Sequence, residues 1–346
     1  MSRINLNRIR RALLHWYDRN RRDLPWRRTH DPYAIWIAET MLQQTQIKTV
    51  LPYYRRFLSA FPTMKALDRA PREKVLALWS GLGYYRRAEN LKRAARKIMD
   101  QHRGKLPRKG YALRALPGVG PYTAGALMSI AFNEPYPALD GNARRVLTRV
   151  FDVKTEKDLR ETAQRLIPRA RPGCFNQALM ELGSTICLPR EPRCDQCPIA
   201  SCCKARKSER VRLQKPFSPK PAARKIDWPL ALIQKDGKIL LRRQPAGGIL
   251  PGLWEVPGGE RSKGESLMAA LRRHLSGLGA KVHAKLIGEI RHSITHRRIR
   301  APVYLCACLG KNSSAGAGLR WFPLRSLGRY PLSALSLKAI KLIAEP

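Results

Sequence analysis

The chain has 346 residues, 44% of them hydrophobic, and sets 67 lysines and arginines against 25 acidic residues for a formal charge of +42. That length suffices for two buried cores, and a charge far beyond the needs of solubility points to a polyanionic partner, nucleic acid before an acidic membrane. No apolar run approaches the roughly 18 residues of a spanning helix and no secretory apolar segment opens the chain, while the eight cysteines are bunched rather than scattered as disulfide pairs would be; a membrane anchor is disfavoured and a reducing cytoplasm fits.

Taken in order, Leu6, Ile9, Leu13 and Trp16 fall at helical spacing and predict a first helix. Asp31 and Pro32 make an N-cap and first-turn pair that predicts a second. Along it Ile35, Ala38 and Leu42 share a face, and Glu39 lies inside that apolar stripe. A buried unpaired carboxylate costs several kcal/mol, so Glu39 either finds a partner, Arg27 or Arg28, or holds a proton near neutral pH and can serve as a general acid. Gln43 and Gln46 recur on the same face and suggest a polar cleft. Farther on, Gly81 and Gly83 precede Tyr84, Tyr85 and a basic helix. Tyrosines there are either core residues or a stacking surface for bases.

The stretch LPGVGPYTAG reads as a helix ending at Leu116, a turn through Pro117 to Gly120, and a new helix from Pro121. Its glycines permit positive φ and leave amides uncovered, so Gly118, Val119 and Gly120 can hold a phosphate. Asp140 follows, just before Gly141, Asn142 and a basic helix, where an N-cap sits. Each half taken alone is equally an ordinary helix connection and an ordinary cap.

Cys187, Cys194, Cys197 and Cys203 then fall close together, with Cys202 beside the last. Four thiolates so bunched imply a closed metal site, for which zinc is the general default. Arg190 and Arg193 between the first two could reach phosphates. Residues 204 to 226 are basic, proline-bearing and poor in apolar groups, and read as a linker. From Asp227 the texture changes to short strands, a tight Asp236-Gly237 turn, a helix from Glu265 to Leu278 and later strands holding Cys306 and Cys308, a small α+β domain.

Together LPGVG with DGNARRV, MLQQTQ, GLGYY and the cysteine spacing resemble the helix-hairpin-helix DNA base-excision glycosylases, and among them the MutY-type adenine glycosylases, over nearly the whole chain. The resemblance implies a mainly α helix-hairpin-helix glycosylase domain with an iron-sulfur loop over 1–203, a basic linker over 204–226, and an α+β Nudix-like domain over 227–346 that recognises 8-oxoguanine. It implies Glu39 as catalytic acid, Asp140 as the carboxylate beside the sugar, and Tyr122 and Asn142 as their supports. Trp26, Arg27 and Leu42 would line the base pocket, Gln177 would contact adenine, and Gln44 and Tyr84 would enter the DNA stack. Cys187, Cys194, Cys197 and Cys203 would ligate a [4Fe–4S] cluster. Thr295 and His296 stand where these proteins read the lesion, although the local triplet, Ile294-Thr295-His296, departs from their Phe-Ser-His. Arg272, Arg273 and His274 stand where a Nudix hydrolase needs carboxylates, so hydrolysis of pyrophosphate is not expected. The implied partner is duplex DNA with adenine opposite 8-oxoguanine or guanine, bound by a monomer working on the bacterial nucleoid. Two rivals remain: a bifunctional lyase, against which Tyr122 stands where endonuclease III carries a lysine, and a noncatalytic DNA-binding protein, against which Glu39 and Asp140 both stand.

Overall fold

A computed structural model describes residues 5–208, 223–245, 252–276, 284–294, 297–306 and 318–344. Its helices, in chain order, are α1 (Leu6–Asn20), α2 (Pro32–Leu42), α3 (Ile47–Ala60), α4 (Met64–Arg69), α5 (Arg72–Trp79), α6 (Arg86–His102), α7 (Gly110–Arg114), α8 (Pro121–Ala126), α9 (Gly141–Phe151), α10 (Glu156–Leu166), α11 (Pro172–Thr185) and the short α12 (Lys204–Lys207). Side-chain caps start several of them. Asp31 accepts from the amides of Tyr33 and Ala34, Asp140 from that of Ala143 and Thr155 from that of Asp158, each satisfying donors that the first turn leaves orphaned.

Packing divides the chain into two compact units, Met1–Tyr54 with Leu58–Asp68 and Asn90–Pro219, and Arg55–Phe57 with Arg69–Glu89 and Lys220–Pro346. In the first, α1, α9, α10 and α11 share a core that includes Leu13, Tyr17, Leu147, Phe175 and Leu182. The helix-hairpin-helix is made by α7 and α8. The first of these ends at Arg114, earlier than expected, and Leu116 belongs to the turn, where its carbonyl accepts from the Val119 amide. Gly118 adopts φ +78°, and a Cβ there would come within 2.8 Å of Asn90 Cβ, so both conformation and space require glycine. α8 passes directly into a π-helical turn, Leu127–Ala131. The extended segment after it is tied down by Asn176, which accepts from the Ala138 amide and donates to the Tyr136 carbonyl and Ser129 Oγ.

The second unit contains β1 (Arg224–Asp227), β2 (Leu230–Lys235), β3 (Lys238–Arg243), β4 (Trp254–Glu255), α13 (Leu267–Leu275), β5 (Ala284–Ile294), β6 (Arg297–Cys306), β7 (Leu319–Pro323) and α14 (Ala334–Ala344). The sheet runs β1-β6-β2-β3-β4, with β5 also on β6 and β7 on β3; β6 is parallel to β1 and β2, and the other pairings are antiparallel. β2 is apolar on both faces because both are covered. Leu230 and Leu232 pack with Leu335 and Ile340 of α14, whereas Ala231 and Ile233 pack with Leu271 and Leu275 of α13. Asp236 and Gly237 both take positive φ in the two-residue turn joining β2 to β3. α13 starts at Leu267 rather than Glu265, because Ser266 caps it and Glu265 turns away to accept from the Ser262 amide. Leu278 and Cys308 lie outside the described residues, while Cys306 is buried in the core.

Candidate active site

α2 is buried all round from Tyr33 to Met41. Glu39, 5% exposed, therefore has no solvent-facing side to turn to. Neither arginine proposed as its partner answers it: Arg27 bonds Glu181 and Arg28 bonds Asp23. Its partner is Tyr122 on α8, whose hydroxyl donates to Glu39 Oε2 at 2.6 Å. Burial pushes the Glu39 carboxyl up to about 7; the Tyr122 hydrogen bond and the Arg27 charge oppose the rise and the Asp140 charge adds to it. Tyr122 itself is held well above its ordinary value by burial and by the neighbouring carboxyls, so it stays a neutral donor.

Asp140 caps α9. Its Oδ1 accepts from the Ala143 amide at 2.7 Å and its Oδ2 from Asn142 Nδ2 at 3.0 Å. Burial, the largest influence, leaves this carboxyl raised as well, with the hydrogen bonds from Ala143 and Asn142 and the Arg145 charge offsetting only part of the rise. Gly183 of α11 lets the start of α9 sit close, since a Cβ on it would fall 2.6 Å from Asn142 Cβ. Arg145 then ties the two ends together, donating to Asn142 Oδ1 and to the carbonyls of Gly183 and Cys187.

Glu39, Tyr122, Asp140 and Asn142 line one cavity of about 1130 Å³, together with Trp26, Arg27, Leu42, Gln44, Gln177, Gly118 and Gly120. Sequence separations of up to 151 residues, from Trp26 to Gln177, are thus closed by helix packing. Val119 is the exception within the hairpin, for its side chain is buried and its amide is spent on Leu116; any phosphate contact falls to Gly118 and Gly120. Gln43 reaches the cavity from beyond the end of α2 rather than along its face, donating to Thr123 Oγ1. Gln177 Oε1 accepts from Tyr17, which fixes the amide's orientation.

Residues 37–169 match the helix-hairpin-helix superfamily of base excision DNA repair proteins, and residues 230–342 match the NUDIX domain. The adenine DNA glycosylase of Homo sapiens is 36% identical, over 90% of this chain and 70% of that protein. The chain belongs to the adenine DNA glycosylase family. A second adenine DNA glycosylase, from Buchnera aphidicola, is 38% identical over 71% of the chain and 72% of its own length. Among solved structures, that of a thermostable thymine-DNA glycosylase is 32% identical with a TM-score of 0.56, covering 58% of this chain and 96% of its own.

Elsewhere in the glycosylase, Cys187, Cys194, Cys197 and Cys203 line a single apolar pocket of about 30 Å³. Cys202 does not line it. Arg149 reaches Cys187 Sγ at 3.4 Å and pins the following loop through the carbonyls of Leu188 and Pro189. No three His, Cys, Asp or Glu side chains among the described residues are set to hold a metal ion. The donor set is nevertheless four soft thiols around one pocket with arginine beside it, which suits a negatively charged iron-sulfur group. Arg190 and Arg193 are exposed.

Two residues assigned to the DNA stack share an unusual backbone. Gln44 and Tyr84 are both exposed with φ of +58° and +50°, a conformation that non-glycine residues hold only where the surroundings impose it. At Tyr84 the second unit imposes it, through Arg87 and Trp79 hydrogen bonds to the Gly83 carbonyl and the Arg87 guanidinium 5.2 Å from the Tyr84 ring. Tyr85 is buried in the core and Tyr84 is exposed. Thr295 and His296 lie outside the described residues; the strand ends flanking them, Ile294 and Arg297, are directly paired. Sequence reading missed Glu181 and Arg22, which line the cavity as an ion pair. A carboxylate on the buried face of a helix, as at Glu39, was the available signal.

Proposed function

We propose that this glycosylase hydrolyses the N-glycosidic bond of adenine opposite 8-oxoguanine or guanine in duplex DNA, as a monofunctional enzyme acting on a flipped-out nucleotide. The observation that carries the reading is two carboxyl groups in one cavity with unlike surroundings. Glu39 is buried and lifted to about 7, while Asp140 accepts two N–H hydrogen bonds that favour its charge. Tyr122 occupies Glu39 Oε2, leaving Oε1 to carry the proton. That proton passes to adenine N7, and the C1′–N9 electron pair leaves with the base. Ionised Asp140 stabilises the oxocarbenium-like sugar. Water adds to C1′, and its proton returns to the Glu39 carboxylate, restoring the acid.

Trp26 and Leu42 supply apolar walls to the base, Gln177 a polar contact, and Gln44 and Tyr84 the groups that enter the stack. Cys187, Cys194, Cys197 and Cys203 would hold a [4Fe–4S] cluster, whose contribution when bound is to cross-link its loop. We take the enzyme to work as a monomer, and no described helix is long and apolar enough to cross a membrane. We place its work on the nucleoid for its charge. In the second unit Glu265 is paired with Arg273, leaving no acidic cluster on α13 for pyrophosphate chemistry, which supports lesion reading through Thr295 and His296.

The test is an end-labelled duplex with adenine opposite 8-oxoguanine, incubated with the protein and analysed before and after alkali. Adenine release with strand breakage only after alkali is expected. Lys48, exposed, is the one lysine lining the cavity, so breakage without alkali together with efficient borohydride trapping would replace this reading with a lyase using that amine. Purified protein should also contain about four irons per chain; stoichiometric zinc without iron in anaerobic preparations would overturn the cluster.

A further inference from the structure

Glu181 stands on α11 four residues past Gln177 and is 1% exposed, yet it lines the catalytic cavity. Its carboxylate is shared between two arginines. Arg22 donates through Nε to Oε1 at 2.6 Å and through Nη2 to Oε2 at 3.0 Å, and Arg27 donates through Nη2 to Oε2 at 2.7 Å. The two cations are not equivalent. The Arg22 side chain is 42% exposed and can be answered by water, whereas that of Arg27 is 9% exposed, lies 5.4 Å from the Tyr17 ring centroid and donates to the Arg22 carbonyl. With Glu181 removed, Arg27 would face the cavity as an unanswered buried cation.

We infer that Glu181 is a positioning residue for the proton-transfer step: by holding Arg27 and cancelling its charge, it shields Glu39 from a bare cation and lets Glu39 serve as proton donor. This rests on the reading of Glu39 as the acid and deepens it. The groups facing Glu39 are few. Tyr122 comes from α8, Asp140 from the start of α9, and Arg27 from the turn before α2. Tyr17 of α1 lies behind Arg27 and Gln177 and is held neutral by burial, with a value pushed to about 12. α11 presents Gln177 and Glu181, and Lys48 at the start of α3 is exposed. Of the cations lining the cavity among the described residues, Arg22, Arg27 and Lys48, Arg27 is the one whose charge bears on Glu39, and it opposes protonation. Glu181 stays ionised in its place: burial raises its carboxyl, but the two guanidinium groups more than reverse this.

The experiment measures single-turnover adenine release against pH, with enzyme saturating, for the full chain and for Glu181→Gln, Glu181→Asp, Arg27→Met and the double variant Arg27→Met with Glu181→Gln. A proton donor makes the rate fall on the alkaline side. In Glu181→Gln that fall should move to lower pH by roughly half to one unit, about a three- to tenfold loss concentrated above neutrality. Glu181→Asp, which keeps the charge, should leave the alkaline limb in place. Arg27→Met and the double variant should share one alkaline limb, a comparison that holds even if Glu181→Gln alone does not fold. A uniform loss at every pH in Glu181→Gln, or different limbs for the two Arg27→Met proteins, would overturn the inference and leave Glu181 a packing residue. Full release by Glu39→Gln would instead remove the acid reading itself, so the two failures are separable.

Discussion

Glu39 exchanges stability for chemistry. Its carboxyl rises from an ordinary 4.5 to about 7 because burial is met by a hydroxyl and not by a cation. Between those values the folded chain holds a proton that the unfolded chain has released. The group's contribution to stability is therefore fully present below about 4.5, falls as pH rises toward 7 and is lost above it, a span on the order of 3 kcal/mol. Glu39→Gln removes that slope while keeping an oxygen for Tyr122. In urea melts it should match the parent at acidic pH and exceed it at alkaline pH by up to that amount, while releasing no adenine. Parallel stability curves for the two proteins would show that the buried carboxyl is not felt. The position of Glu39 within an apolar stripe was legible because it is local to one helix. Its partner was not, since Tyr122 lies 83 residues on. Glu181 carried the same local signal, a carboxylate on a buried helix face, but its partners were out of reach in the same way, its arginines being 154 and 159 residues away.

At the scale of the element, Asp140 combines two duties that substitution can separate. As N-cap it satisfies the Ala143 amide, and as a carboxylate it faces the cavity. Asparagine caps about as well as aspartate, whereas alanine costs about 1 kcal/mol. Asp140→Asn should thus abolish release with stability changed by only a few tenths of a kcal/mol, and Asp140→Ala should abolish release and lose about 1 kcal/mol in addition. Retained release in Asp140→Asn would confine the residue to capping. Helix starts were legible at Asp31 and Asp140 because a cap is a local hydrogen bond. Helix ends were harder to read. α2 stops at Leu42 without glycine or proline, as Gln43 leaves the helical region and Gln44 takes positive φ, and the π-helical turn after α8 has no signal in residue type.

For the whole molecule the dominant quantity is charge. A formal +42 is carried largely by exposed arginines and lysines on both compact units, whereas the two arginines lining the cavity, Arg22 and Arg27, are spent on Glu181. Binding and chemistry should consequently respond differently to salt. Each neutralised phosphate releases counterions, so a surface making six to ten such contacts loses about 10³- to 10⁵-fold in affinity between roughly 50 and 200 mM salt. Buried ion pairs are screened far less, since the Debye length acts through solvent. Duplex affinity should therefore fall steeply on a logarithmic plot against salt, for matched and mismatched duplexes alike, while the single-turnover rate at saturating enzyme stays nearly flat. Affinity measured by titration and release measured on the same duplex across one salt series decide the matter. A saturated rate that falls in parallel with affinity would place phosphate contacts in the transition state itself, and Gly120, which lines the cavity and has open space for a Cβ, would be the first to replace.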